Sequence, residues 1–175
     1  IGGVTVFSIG VVTGHAPAIA VRTDPAVSFA LWASKLVLYA ALFFGIGGAV
    51  FAATVAPLPP FSERLAKAAI LSGLLAAPIS LGLQGADALG LGPAEMLGTS
   101  VWHAGFSTSY GWTAVGCLVA LALAGSSLST RGGWSSALAI TALLAAPLSL
   151  VMSGHASAAE PQWITRSAVF LHVAG

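Results

Sequence analysis

Four stretches of this chain, residues 28–54, 65–86, 109–128 and 134–154, are each long and apolar enough to cross a bilayer. About 20 helical residues span the roughly 30 Å of hydrocarbon. The first stretch holds one charge, Lys35, and the second is uncharged between Lys67 and Asp87. A fifth apolar run opens near Ser167 and is only a few residues old at Gly175. Backbone groups in lipid must be satisfied internally, which leaves helices or a closed barrel. Barrel strands alternate apolar and polar residues, and these runs do not. The expected fold is therefore an all-α integral membrane bundle, with four transmembrane helices and the start of a fifth. Composition agrees: 57% of residues are hydrophobic and 6% charged, against about 25% charged in soluble domains.

The same composition excludes other classes. A net charge of +1 without a Lys/Arg cluster gives nucleic acid no surface to bind. The single cysteine, Cys117, lies in an apolar run, so an intrachain disulfide and a thiolate cluster are both excluded. No P-loop, G-x-S-x-G or H-E-x-x-H motif is present, and no carboxylate pair falls inside a span. No enzyme active site is visible. The chain opens on Ile1 rather than Met and stops early in an apolar run, which leads us to expect an internal piece of a longer protein.

Basic residues in short loops set orientation. Arg64 and Lys67 follow the first span and Arg131 follows the third, which places loops 55–64 and 129–133 in the cytoplasm. The opposite side holds Asp24, Asp87, Glu95 and Glu160, with Arg22 and Arg166. Trp32, Trp102, Trp112 and Trp163 fall near that outer boundary, as an aromatic belt would. "LLAAPISLGLQGAD" (residues 74–87) is similar to "LLAAPLSLVMSGHA" (residues 143–156) at an offset of 69 residues. Each copy has a proline, Pro78 or Pro147, about two turns before the outer end, where it kinks the helix and frees a carbonyl. A duplicated helical hairpin, as in transporters, fits this pattern; chance similarity of two Leu/Ala-rich helices is the alternative.

The scarce polar chemistry gathers near the end. His155 closes the fourth span, and Met152 lies three residues earlier on the same helical face. Imidazole with thioether suits copper, because soft thioethers select Cu(I). His172 stands on the next apolar run, six residues after Arg166, hence roughly 9 Å deeper at 1.5 Å per residue. The bland alternatives are an interfacial histidine at the helix end and a buried one bonded to a carbonyl. His103 lies in a long outer loop, residues 89–111, for which Pro93 at a first turn predicts a short interfacial helix over 93–102. His103 and Met96 are candidates for an outer site, and Gln84 and Asp87 for an outer polar path or a plain helix boundary. Lys35 is expected to snorkel outwards, and Gly45, Gly47 and Gly48 to permit close helix packing. "GGVTVFSIG" (residues 2–10) alternates as a short strand does, and a linker follows it.

"SGHASAAEPQWITRSAVFLHVAG" (residues 153–175) resembles the copper resistance protein D (CopD) family of bacterial membrane proteins. In that family a Gly-His-Ala helix end precedes an Arg…Leu-His opening of the next helix. "GGVTVFSIG" looks like the last strand of a CopC-like copper-binding β domain. Lys35 in the first span and "STSYGW" (residues 107–112) opening the third fit the same layout. The resemblance divides the chain into the end of an outer CopC-like domain (1–13), a linker (14–27) and a CopD-like domain (28–175). It implies copper transport across the bacterial cytoplasmic membrane, inward, with His155 and His172 as ligands and a CopC-like domain and the lipid bilayer as partners. Two rivals stand beside it. One is a b-type haem electron-transfer protein, since facing helix histidines suit haem. The other is a copper-delivery or assembly scaffold without transport.

Overall fold

The computed structural model describes residues 23–152. The strand-like segment 2–10, His155, Glu160, Trp163, Arg166 and His172 lie outside the described residues. The described residues form five α-helices: α1 (Pro25–Thr54), α2 (Pro60–Leu89), α3 (Thr99–Ser107), α4 (Ser109–Ser129) and α5 (Gly133–Val151). All but α3 are long and apolar enough to span a membrane, and none of the described residues forms a strand. The chain is an all-α membrane bundle.

Local chemistry sets the helix ends. Asp24 caps α1 by accepting from the Ala26 N–H at 2.7 Å, with Pro25 at the first turn, where a missing N–H costs nothing. Three prolines in "VAPLPP" separate α1 from α2, and the last of them, Pro60, starts α2. At the far end of α2, Gly90 takes φ +66°, and the Leu91 N–H reaches back to the Ala86 carbonyl at 2.9 Å. A left-handed glycine of this kind closes a helix by satisfying its last carbonyls. Thirty residues make α2 about 45 Å long, more than the hydrocarbon thickness, so it tilts or protrudes.

Successive spans run antiparallel. Asp24, Asp87 and Glu95 therefore share one end of the bundle, here the acidic end, while Arg64, Lys67 and Arg131 share the other, basic end. At the basic end the α4–α5 turn is stitched by reciprocal hydroxyl bonds between Ser127 and Ser135, at 2.8 and 3.0 Å to the opposing carbonyls. Ser136 adds a bond to the Ala53 carbonyl at the close of α1 (2.8 Å).

Around a few large side chains such as Leu38, Ile46 and Leu121, the interior is built mostly of small residues, and many large apolar ones face outwards. Ala41, Ala49, Ala77, Ala120, Ala124 and Ala142 are buried, whereas Phe43, Phe44, Leu75 and Leu148 are exposed. That arrangement suits lipid, where outward apolar surface carries no penalty and close backbone approach gives dispersion. A β-carbon on Gly73 would lie 2.7 Å from Leu121 Cδ1, so α2 and α4 meet there without room for a methyl. Gly45 and Gly48 of α1 likewise press on Ile70 and Ala66 of α2, but Gly47 faces open space. Only two of the three expected glycines are packing positions. At the first of them α1 widens into one π-helical turn, Leu42–Ile46, which buries Leu42, Gly45 and Ile46 and turns Phe43 and Phe44 outwards.

The interfacial helix expected over 93–102 is two pieces. A 3₁₀ turn spans Pro93–Leu97, and α3 begins at Thr99 after an extended Gly98 (φ −71°, ψ 137°). The extended glycine breaks the helical run before Trp102. His103 therefore stands on a helix, not in a loop. Trp32 and Trp112 are 61% and 67% exposed near the acidic end, as a belt requires. Trp102 instead is half-buried, with its ring about 3.5 Å from where a Gly82 β-carbon would be.

Candidate functional site

One cluster of polar side chains inside the bundle lies in its acidic half, between α1, α2 and α4. Lys35 lies ten residues into α1, about 15 Å along the axis at 1.5 Å per residue. Its ammonium reaches Gln84 on α2, donating to Oε1 at 2.9 Å, and it also sits 4.4 Å from the centroid of the Tyr110 ring on α4. Tyr110 is buried and shares a 2.8 Å hydroxyl hydrogen bond with Ser80 of α2. Ser80 also donates to the Ala77 carbonyl at 2.8 Å. One turn beyond Gln84, Asp87 Oδ1 accepts a long bond from the Ser28 hydroxyl (3.4 Å). Asp87 and Lys35 form no ion pair. Among the described residues the one ion pair is Lys67–Glu63 on the surface of α2.

Small residues make this cluster possible. Gly85 of α2 and Gly105 of α3 lie against each other's helices. A β-carbon on Gly85 would fall on the Val101 carbonyl oxygen, and one on Gly105 would lie 2.6 Å from the Leu81 carbonyl oxygen. The short helix α3 is thereby drawn onto the acidic half of α2, with Val101 fully buried. A second polar contact lies nearby on α4, where Thr113 donates to the Ser149 carbonyl of α5 at 3.0 Å. Gly116 leaves the space that the Ser149 hydroxyl occupies. No buried side-chain polar atom among the described residues lacks a partner.

The sequence-derived candidates separate on this structure. Gln84 joins the Lys35 cluster and Asp87 sits one turn outside it. Met96 does not present its thioether to a polar site. It packs among Val27, Leu31, Leu83, Ala86 and Val101, with Cε 3.2 Å from the Gly82 β-carbon position. His103 is exposed on α3, and its carbonyl accepts from Ser107. Met152 lies at the end of α5 and is 47% exposed. His155 and His172 lie outside the described residues. Among those described, no three His, Cys, Asp or Glu residues converge as a metal site. A cavity of about 780 Å³ lies elsewhere, between the π turn of α1 and Pro147 of α5, with an apolar lining that includes Phe44 and Leu150.

Sequence reasoning missed Tyr110 and Ser80 as cluster members. Ser80 carried a usable signal, since it and Ser149 occupy the same position in the two similar segments, two residues after Pro78 and Pro147. Tyr110 carried none beyond its place at the start of a span.

Residues 24–163, well over half of the chain, match the family model described as copper resistance protein D-like, N-terminal domain. No curated protein matches the chain. No solved structure matches it either.

Proposed function

The chain belongs to the copper resistance protein D-like family, and from that premise we propose that it carries copper across a membrane, inward from the acidic end. The observation that carries the reading is the family match, which covers the whole four-helix bundle. The acidic-end placement of the intramembrane polar groups supports it, because polar and ionisable groups in a span are costly and mark ion paths.

In this reading copper is the cargo. Met152 at the end of α5, with His155 and His172, takes the ion from an outer CopC-like domain, of which residues 1–13 form the last part. Imidazole and thioether ligands hold copper as Cu(I). Gln84 and Asp87 then line the way inwards from that end. Pro78 and Pro147 lack the N–H that would bond the Leu74 and Leu143 carbonyls, which leaves both carbonyls free to serve as ligands along the way. Each contact has to stay weak enough for the ion to leave. The membrane is the bacterial cytoplasmic one, with loops 55–64 and 129–133 in the cytoplasm.

The test uses the full chain in detergent, loaded with Cu(I), beside His155→Ala and His172→Ala. Bound copper and the visible spectrum are recorded together. Near-equimolar copper that is lost in either variant, without a Soret band, is the expected result. A Soret band that vanishes with either histidine replaces transport by haem electron transfer. Wild-type behaviour of both variants, with no metal and no haem, removes these histidines from any site.

A further inference from the structure

The Lys35 ammonium occupies a position that suits a mobile cation. An amide oxygen, Gln84 Oε1, lies 2.9 Å from it. The face of Tyr110 lies 4.4 Å from it. Carbonyl oxygens replace the hydration shell of permeant ions in selectivity filters, and aromatic faces bind desolvated cations. Both partners are uncharged, so they neutralise neither Lys35 nor any ion that takes its place. The obvious counter-ion, Asp87, stands one turn further out along α2 and forms no ion pair with Lys35.

We propose that Gln84 Oε1 and the Tyr110 ring form a monovalent-cation cradle whose resident is the tethered Lys35 ammonium, which an arriving cation must displace. The flexible four-carbon stem of lysine lets the ammonium withdraw outwards, and the Asp87 carboxylate gives it a destination. The cradle itself is rigid. The Tyr110 hydroxyl is fixed by Ser80 (2.8 Å), and Ser80 is fixed by the Ala77 carbonyl. Lys35 thus acts as a charge barrier: it blocks the path to cations at rest and yields only to one that binds the cradle better. The inference deepens the transport reading and rests on it for the identity of the cargo.

The test is uptake of Ag(I), a redox-inert probe for Cu(I), into vesicles containing the full chain. Lys35→Gln removes the charge while keeping a partner for Gln84. Lys35→Arg keeps the charge, and Lys35→Met keeps the apolar stem should Lys35→Gln fail to fold. Circular dichroism and thermal melting check that each bundle is intact. The charge-neutral variants are expected to raise the initial rate about tenfold, the factor gained when one charge-assisted hydrogen bond stops competing, and Lys35→Arg to stay at the wild-type rate. A folded neutral variant at or below the wild-type rate overturns the proposal. So does an equal gain in Lys35→Arg, which would assign the effect to packing. Uptake of Tl(I) in the same vesicles separates this proposal from the copper reading. If the wild type neither binds Cu(I) nor admits Ag(I), a Tl(I) flux gained only by the neutral variants upholds the cradle while the copper reading fails. No such gain removes the cradle as well.

Discussion

Replacing Gly105 by alanine tests whether close approach of α3 to α2 holds the acidic half together. The added β-carbon would lie 2.6 Å from the Leu81 carbonyl oxygen and 3.3 Å from Leu81 Cδ1. The nearer atom is backbone in the middle of a helix, so it cannot swing aside. Restoring an ordinary separation of about 3.4 Å moves α3 outwards by roughly 0.8 Å, and overpacking of this kind costs about 1–3 kcal/mol. Gly85→Ala pushes α3 away from the other side and further still, since its β-carbon would fall on the Val101 carbonyl oxygen. Once α3 has moved for one methyl, the second meets less resistance. The double variant should therefore lose clearly less than the sum of the singles, by about 0.5 kcal/mol or more. Gly47→Ala is the control. Gly47 lies on α1 with nothing near its β-carbon position, and alanine in a helix interior gains about 0.5–1 kcal/mol over glycine. The assay is reversible unfolding in mixed detergent, followed by helical circular dichroism and by tryptophan fluorescence, because Trp102 rides on α3. Single variants within 0.5 kcal/mol of wild type, or strictly additive losses, would refute the close-approach argument.

Three further outcomes follow from named contacts. A double-mutant cycle of Tyr110→Phe and Ser80→Ala should give a coupling of about 0.6 kcal/mol and no more than about 1.7, the range for interhelical hydrogen bonds in lipid; zero coupling would mean the 2.8 Å hydroxyl contact does not form. Cys117 is fully buried, so a membrane-impermeant maleimide should leave the native chain unlabelled. In a Cys117→Ala background, Thr130→Cys and Thr99→Cys should label from opposite faces of sealed vesicles, with labelling of both from one face contradicting the antiparallel order of spans. Gly116→Ala should destabilise by about 1–3 kcal/mol, because the Ser149 hydroxyl fills the space a methyl would need; Gly116→Ala with Ser149→Ala should recover only part of that loss, since Ser149 Cβ stays 2.7 Å from the new methyl, and no recovery at all would assign the strain elsewhere.

Spans are legible in a sequence like this because lipid imposes a single condition: every residue of a crossing must be tolerable in hydrocarbon over about 20 positions. That condition reads off the third span to within a residue, at Ser109–Ser129. It undershoots the ends of α2, because residues 60–64 and 87–89 are helical yet carry Glu63, Arg64 and Asp87. Hydropathy reports the crossing, whereas helix length is set by capping, here Pro60 and Gly90. The region 89–108 was harder. Pro93 announces a helical start correctly, but whether Gly98 interrupts it depends on α3 docking through Gly105, a contact local sequence does not encode. The Lys35 cluster was illegible for a different reason. Gln84 and Lys35 are 49 positions apart, and only the relative rotation of α1, α2 and α4 decides which side chains face one another. Met96 can be read two ways in a sequence. A thioether is as good a filler of irregular apolar gaps as it is a ligand, and the glycine at position 82 leaves such a gap.

The similar segments at 74–87 and 143–156 acquire physical content from one pair of residues. Ser80 and Ser149 occupy equivalent positions two residues after a proline, on α2 and α5, and both are buried. Ser80 meets α4 at Tyr110, and Ser149 meets it at Thr113, three residues and therefore about one turn further along. The two proline-bearing helices thus flank α4 at nearly the same depth, each through a polar contact just past its proline. Chance similarity between two Leu/Ala-rich helices predicts no such correspondence, because composition does not fix which residue faces a shared neighbour. Duplication does predict it. The repeats then diverge where the bundle is asymmetric: α2 carries Gly82 and Gly85, which admit Trp102 and α3, whereas the position matching Gly82 on α5 is Val151. Met96 and Trp102 come within about 3.5 Å of the Gly82 β-carbon position, so a valine there would meet both. The closest approach of α3, at Gly85, has a glycine at its matching position too, Gly154. Gln84, which faces Lys35, is matched by Ser153, so the amide of the cation cradle belongs to the α2 copy alone.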